Sequence, residues 1–315
     1  MIVSVSRRTD IPAFYSEWFF NRIKAGYVQV RNPMNYHQVS EIKLTPENVD
    51  CFIFWTKNPA NFLSNIALLE RFKYYFQFTL TPYGKNIEKN LPPKEEVIQT
   101  FQDLSNRIGR HLVLWRYDPI LINGSDLSIS YHEEQFEYLS EKLAKSTRKC
   151  IVSFFDKYKF AKFNSNYLSL KDFSSENVMH LAQKFSKIAA RHSLVLETCA
   201  ESFDLSSFNI AHGKCVDNRL LSEMLGYNIE IDKDKYQREF CGCVKSVDIG
   251  TYSTCLHDCS YCYATQYYSK ALANFEQHIP NSPFLIGGAM SKDRVIVRKG
   301  DTHKVHQLSL LNFTE

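Results

Sequence analysis

The feature that most restricts the fold of this 315-residue chain is an alternation of two hydrophobic periods. Up to about residue 201, short runs rich in β-branched and aromatic residues are each followed by a longer stretch with helical spacing, the signature of βα units around a parallel sheet. Six strands are predicted, at residues 2–6, 51–56, 75–81, 111–117, 150–155 and 194–199. Most are largely apolar, as strands covered on both faces must be. The clearest helices are predicted at 93–108, 132–145 and 175–192, with Glu95 and Glu96 in the first turn of one and Ser175 as the cap of another. Residues 27–45 read as an extra extended excursion. The expected fold is therefore α/β, a six-unit partial (β/α) barrel of the TIM type over residues 1–201, with a cysteine-rich region at 202–315 packed on it as one unit. A hydrophobic content of 44% supplies a large core and excludes wholesale disorder.

In such an architecture function collects where strands end. The first strand is followed by Arg7, Arg8, Thr9 and Asp10, the second by Trp55 to Asn58, the third by Thr79, Thr81 and Tyr83. The fourth ends in Trp115-Arg116-Tyr117-Asp118-Pro119, the fifth in Asp156, the sixth in Glu197-Thr198-Cys199. Any one of these would pass for an ion pair or a helix cap; six strand ends together point to a site. Arg7, Arg8, Asp10, Lys57, Arg116 and Asp118 are the candidate catalytic residues. Four cations at three strand ends favour an anionic substrate, a small molecule or a nucleic acid bearing phosphate or carboxylate, with Trp55 and Tyr117 as flat faces for a ring. The net charge of +4 is too small to indicate a polyanion by itself.

No run of eighteen uncharged apolar residues occurs, so a cytoplasmic protein without membrane attachment is expected. In a reducing compartment nine cysteines are better read as metal ligands or buried thiols than as disulfides. Cys51 and Cys150 each open a strand and read as core thiols. The other seven lie in the last third of the chain. Cys255, Cys259 and Cys262 form a C-x3-C-x2-C array that one loop can wrap onto three corners of a [4Fe-4S] cluster, leaving the fourth iron open. A zinc site would need a fourth ligand from Cys241, Cys243 or His257. The remaining Cys199, Cys215, Cys241 and Cys243 make a full ligand set for a second centre, an auxiliary [4Fe-4S] cluster or zinc; an electron-transfer role beside the first cluster favours iron–sulfur. A short helix is expected at 218–225, and a longer one at 263–278 with Ala264, Tyr267, Tyr268, Ala271, Leu272 and Phe275 on one face. The basic stretch from Lys292 to Lys304 reads as a solvated edge strand.

The cysteine array, with Tyr261 just before its last cysteine, resembles the signature of the radical-SAM superfamily. The resemblance implies that Cys255, Cys259 and Cys262 hold the cluster, that S-adenosylmethionine binds its open iron, and that Tyr261 lies against the adenine. It also implies an external electron donor and a 5'-deoxyadenosyl radical that takes a substrate hydrogen. The array here follows the sixth strand, whereas superfamily members carry it after the first, and Gly287-Gly288-Ala289 lacks the usual acidic residue. Ser4-Val5-Ser6-Arg7-Arg8-Thr9-Asp10-Ile11-Pro12, Phe54-Trp55-Thr56-Lys57-Asn58-Pro59, Arg116-Tyr117-Asp118-Pro119, Cys241-Gly242-Cys243 and Asp248-Ile249-Gly250 together resemble an uncharacterised bacterial family. That family has a C-terminal radical-SAM-like cysteine cluster and a distant similarity to spore photoproduct lyase, which implies a barrel of the radical-SAM type. Two other readings of the cysteines stand beside this one: a zinc-stabilised nucleic-acid-binding module, and an iron–sulfur redox protein that does not cleave S-adenosylmethionine.

Overall fold

The apolar runs build a parallel sheet whose C-terminal edge carries the polar residues. The structure, a computed structural model, describes residues 1–155 and 169–298; Asp156, Lys299 and Lys304 lie outside the described residues. The elements in chain order are β1 (Ile2–Val5), α1 (Ile11–Phe14), α2 (Ser16–Ala25), β2 (Tyr27–Arg31), β3 (Gln38–Lys43), β4 (Cys51–Thr56), α3 (Ala60–Leu63), β5 (Tyr74–Thr79), α4 (Lys94–Ile108), β6 (Val113–Ile120) and α5 (Ile129–Leu143). There follow β7 (Lys149–Phe154), α6 (Ser175–Arg191), β8 (Val195–Thr198), β9 (Ala211–His212), α7 (Asn218–Leu225), β10 (Val247–Asp248), α8 (Tyr268–Glu276) and β11 (Arg294–Val297).

Among the described residues the large sheet has eight strands rather than six, in the order β10-β1-β4-β5-β6-β7-β8-β9, all parallel. The six long strands sit where the hydrophobic runs place them, within one to three residues at the ends. The two extra strands are two residues each, too short to carry a period, and both come from the cysteine-rich region, which thus supplies both edges of the sheet. The excursion at 27–45 is the antiparallel pair β2 and β3, with β11 added to β3 as a solvent-exposed edge.

Strand side chains alternate between faces. On one face Val3, Val5, Phe52, Phe54, Phe76, Phe78, Trp115 and Tyr117 pack against Phe19, Phe62, Phe101, Phe136 and Phe185 from the helices. On the other, Ile2, Cys51, Ile53, Tyr75, Leu114 and Ile151 meet Cys199, Cys215, Cys241, Cys243 and Leu221. Cys51 and Cys150 are both buried, as expected for core thiols. Tyr117 offers no face to a ligand. It is fully buried on the helical side and bonds the His132 ring through its hydroxyl (2.9 Å), because its neighbours Arg116 and Asp118 take the opposite face.

Helix ends follow capping chemistry. Ser174, not Ser175, caps α6 by accepting the Asn177 N–H, and Ser128 starts α5 three residues before the expected position. The helix expected from 263 begins only at Tyr268. Residues just after Cys262 are held as loop, with the Ser253 N–H donating to the Ala264 carbonyl (2.8 Å). Of the expected stripe, Ala271 is buried and Phe275 packs on the core, while Tyr267, Tyr268 and Leu272 remain substantially exposed. Among the described residues no helix is long and apolar enough to cross a membrane.

The buried His132 gives the fold a pH dependence. Its Nε2 lies 2.7 Å from the Leu121 carbonyl, and burial lowers the ring to about 4 from an ordinary 6.5. Below pH 6.5 the unfolded chain therefore binds the extra proton and the folded chain does not, so stability falls as pH drops towards 4. Between pH 7 and pH 5 this group is expected to remove about 2 kcal/mol. Urea titrations at the two pH values should show that loss in the native chain and not in His132→Gln; equal losses would exclude the assignment.

Candidate active site

Six of the parallel strands deliver side chains to one cavity of about 440 Å³, within the size range of small-molecule sites. Its wall holds Ser6, Arg7, Arg8 and Asp10 after β1, Trp55 and Lys57 from β4, Thr79 from β5, Arg116 and Asp118 from β6, Ser153 from β7 and Cys199 after β8. The other side is closed by Cys215, Cys241, Cys243, Cys255, Cys259, Cys262, Tyr261 and Tyr263. All six candidate catalytic residues and all seven late cysteines thus meet in one place.

The loop after β1 is fixed by a residue from β10. The Asp248 carboxylate accepts from the Ser4 and Ser6 hydroxyls, the Arg7 N–H (2.8 Å) and the Gly250 N–H (2.9 Å), and lies 3.9 Å from Arg7 Nε. Gly250 has to be glycine, since a Cβ there would stand 2.1 Å from Ser6 Oγ. So held, Arg7 lies over the Trp55 ring (5.6 Å), and Arg8 lies over Tyr252 (5.2 Å) while donating to the Gly250 carbonyl.

The cysteine loop is laid against the segment that follows β5. Asn90 donates to the Leu256 and His257 carbonyls, the Ser260 N–H donates to the Ile87 carbonyl (2.8 Å), and Glu88 and Cys259 form an antiparallel bridge. Asp10 ties this loop to the strand ends. Its carboxylate caps α1 through the Ala13 N–H, accepts from the Lys57 N–H (2.7 Å) and bonds His257 Nε2 (2.8 Å). The buried His257 Nδ1 has no partner among the described residues.

Glu88 organises the adjoining wall. Almost wholly buried, it accepts from Lys57 Nζ (2.6 Å), Lys94 Nζ (3.1 Å), Thr81 (2.7 Å) and the Tyr261 hydroxyl. Burial alone would raise its carboxyl, but Lys57 and Lys94 outweigh that and hold it down to about 2. Lys57 in turn lies 5.4 Å from the centre of the Tyr261 ring. Burial raises all three thiols of the loop, Cys255 further by Cys262 and Asp10, while Lys57 opposes the effect at Cys259.

Cys199, Cys215, Cys241 and Cys243 make a separate buried set, with Cys199 Sγ 3.3 Å from Cys215 Sγ and Cys243 Sγ accepting from the Cys215 and Val216 N–H groups (3.2 and 3.4 Å). Arg116 bonds Cys215 Sγ (2.8 Å) and pairs with Asp118. No three His, Cys, Asp or Glu side chains among the described residues enclose a metal position.

Residues 2–264 match the profile of a family described as "Domain of unknown function (DUF1848)". The chain belongs to the DUF1848 family. The match ends two residues after Cys262, so it takes in the whole site loop. No curated protein matches the chain. A solved structure of a candidate alpha-L-fucosidase from Bacteroides thetaiotaomicron is similar over 74% of this chain and 86% of that chain at 13% identity, with a TM-score of 0.25, too slight a likeness to bear on the site.

In this DUF1848 chain the strand-end cations divide into two kinds. Arg7, Lys57 and Arg116 have carboxylate partners, whereas Arg8, and Arg238 on the opposite wall, have none within ion-pair distance among the described residues. Glu197 does not reach the cavity: it pairs with Lys149 Nζ (2.8 Å) lower on the sheet. Thr81 is occupied by Glu88, and Tyr83 is core. Sequence reasoning assigned no role to Glu88, Asp248 or Arg238, and weighed His257 only as a zinc ligand.

Proposed function

We propose that this chain is a radical S-adenosylmethionine enzyme acting on an anionic substrate. The observation that carries the reading is that three thiols from one loop, Cys259 buried and Cys255 and Cys262 partly so, line the same cavity as the cations at the strand ends. The donor set fits a [4Fe-4S] cluster: three soft ligands with no fourth cysteine on the loop leave one iron open for the amino acid end of S-adenosylmethionine. When bound, such a cluster would supply the electron, drawn from an external donor, that splits the sulfonium into methionine and a 5'-deoxyadenosyl radical able to take a hydrogen from substrate. A parallel sheet with its cavity at the strand C-termini supports a partial barrel of the radical-SAM type, and a thiol-rich site supports a cytoplasmic location.

The chain's own residues bind and orient. Tyr261, its hydroxyl held by Glu88, presents a ring for the adenine, and Arg8 and Arg238 are the cations left to meet a phosphate or carboxylate of substrate. Trp55 offers the flat face that Tyr117 cannot.

The test is anaerobic reconstitution, reduction and incubation with S-adenosylmethionine. Brown protein with about four irons on this loop and release of 5'-deoxyadenosine are expected. Iron-loaded protein that leaves S-adenosylmethionine intact would point instead to a redox protein, and colourless protein holding zinc but no iron to a zinc-stabilised nucleic-acid-binding module.

A further inference from the structure

We propose that Cys199, Cys215, Cys241 and Cys243 form a tetrahedral thiolate site for a single zinc ion, distinct from the Cys255–Cys262 loop. The four cysteines, each no more than 7% exposed, come from three chain segments: the end of β8, the turn after β9, and the Cys241-Gly242-Cys243 turn. Backbone bonds bring the segments together independently of the sulfurs. The Gly213 N–H donates to the Thr198 carbonyl (2.8 Å), the Val244 N–H to the Val216 carbonyl (3.1 Å), and the Asp234 N–H to the Cys243 carbonyl (2.9 Å). Gly213 permits the approach, because a Cβ there would stand 2.8 Å from the Thr198 carbonyl oxygen.

Three donors are aimed at sulfur. The N–H groups of Cys215 and Val216 point at Cys243 Sγ (3.2 and 3.4 Å), and Arg116 Nη1 at Cys215 Sγ (2.8 Å). Donors of this kind stabilise thiolates and are a regular second layer around metal–thiolate centres; neutral thiols serving only as filler do not require a guanidinium.

The spacing selects the metal. At a zinc–sulfur bond of about 2.3 Å, tetrahedral thiolates stand about 3.8 Å apart. The 3.3 Å between Cys199 and Cys215 is close to that separation. The thiolates of a cubane stand much farther apart, since each binds its own iron, so one zinc fits better than the auxiliary cluster. With Cys199 and Cys215 in direct sulfur contact, the set as it stands encloses no metal position. Binding Zn²⁺ removes four protons and parts the Cys199 and Cys215 sulfurs by about half an ångström, leaving a site of net charge −2 that faces Arg116.

Metal analysis of the full chain tests this apart from the radical reading. Purified in air, where an exposed iron–sulfur cluster is lost, the chain should retain one zinc, and a variant with Cys255, Cys259 and Cys262 all replaced by alanine should retain it too. Cys241→Ser with Cys243→Ser should lose it, and Cys241→His, which keeps a ligand, should hold it. Cobalt(II) added to metal-free triple-alanine protein should give the visible bands of tetrahedral thiolate coordination. The proposal is overturned if the air-purified chain lacks zinc and takes up no cobalt in thiolate form, or if the triple-alanine variant, purified anaerobically, still carries an iron cluster. Neither result depends on whether S-adenosylmethionine is cleaved.

Discussion

Cys255→Ala, Cys259→Ala and Cys262→Ala are each expected to lose the loop's iron and to reduce 5'-deoxyadenosine formation to background, with the fold intact. A three-thiolate cluster has no spare protein ligand, so losing one leaves two irons without protein donors and the cluster labile. The fold should survive because the loop is not held by its sulfurs. Asn90, Ser260 and the His257–Asp10 bond anchor it through backbone and imidazole, and the Glu88–Cys259 bridge is made by main chain. Circular dichroism and unfolding curves should therefore match the native chain while iron and cleavage disappear. Native levels of cleavage in any one of the three variants would remove that cysteine from the ligand set.

Glu88→Leu is expected to cost about 3–5 kcal/mol, a large part of the roughly 5–15 kcal/mol that holds an ordinary domain together. The carboxylate is almost completely buried and neutralises Lys57, whose side chain is itself only 13% exposed. Its removal leaves the Lys57 ammonium in a low-dielectric wall without its ion-pair partner, and frees the Tyr261 hydroxyl and Thr81. The double variant Glu88→Leu with Lys57→Met should recover most of the loss, because the pair together repays little beyond its own desolvation. The native pair also has an acid limit. Since the folded carboxyl sits near 2, below its unfolded value, the stabilisation is present above about pH 4.5 and is lost as pH falls towards 2. Urea unfolding of the single and double variants decides the matter, and a single-variant loss below about 1 kcal/mol would mean that the pair is solvated in solution.

The long strands and helices of the first two hundred residues were legible because each spans enough positions to show a period and is bounded by turn or capping residues. The strand-end residues were legible as a group for the same reason: fixing where a strand stops fixes where its loop begins. What the pattern left out is tertiary. β9 and β10 are too short to show a period, and each exists only because the sheet offers an edge. Glu88 lies nine residues beyond β5 in a loop containing Lys85 and Lys89, where nothing local separates a buried acid from a solvated one. Tyr117 was a different kind of miss. Strand alternation already sets it opposite Arg116 and Asp118, so its place on the helical face could have been deduced from position alone. The second thiol set emerged by subtracting cysteines from a count, and only their arrangement in space bears on which metal they suit.

Both edges of the eight-stranded sheet are provided by the region that follows β8, and this has a consequence for biogenesis. β1 is made first on the ribosome, yet its outer neighbour β10 is made more than two hundred residues later. Until then one side of β1 offers unpaired amide and carbonyl groups along an apolar strand, the kind of surface that recruits other chains. A pairing so distant along the chain also forms slowly, since the intervening loop must be closed before the contact stabilises anything. A fragment ending near residue 201 would keep its helices and six strands but have two open flanks, and would be expected to self-associate rather than persist as an independent monomer. The cysteine-rich segment thus also acts as the sheet's protection against aggregation.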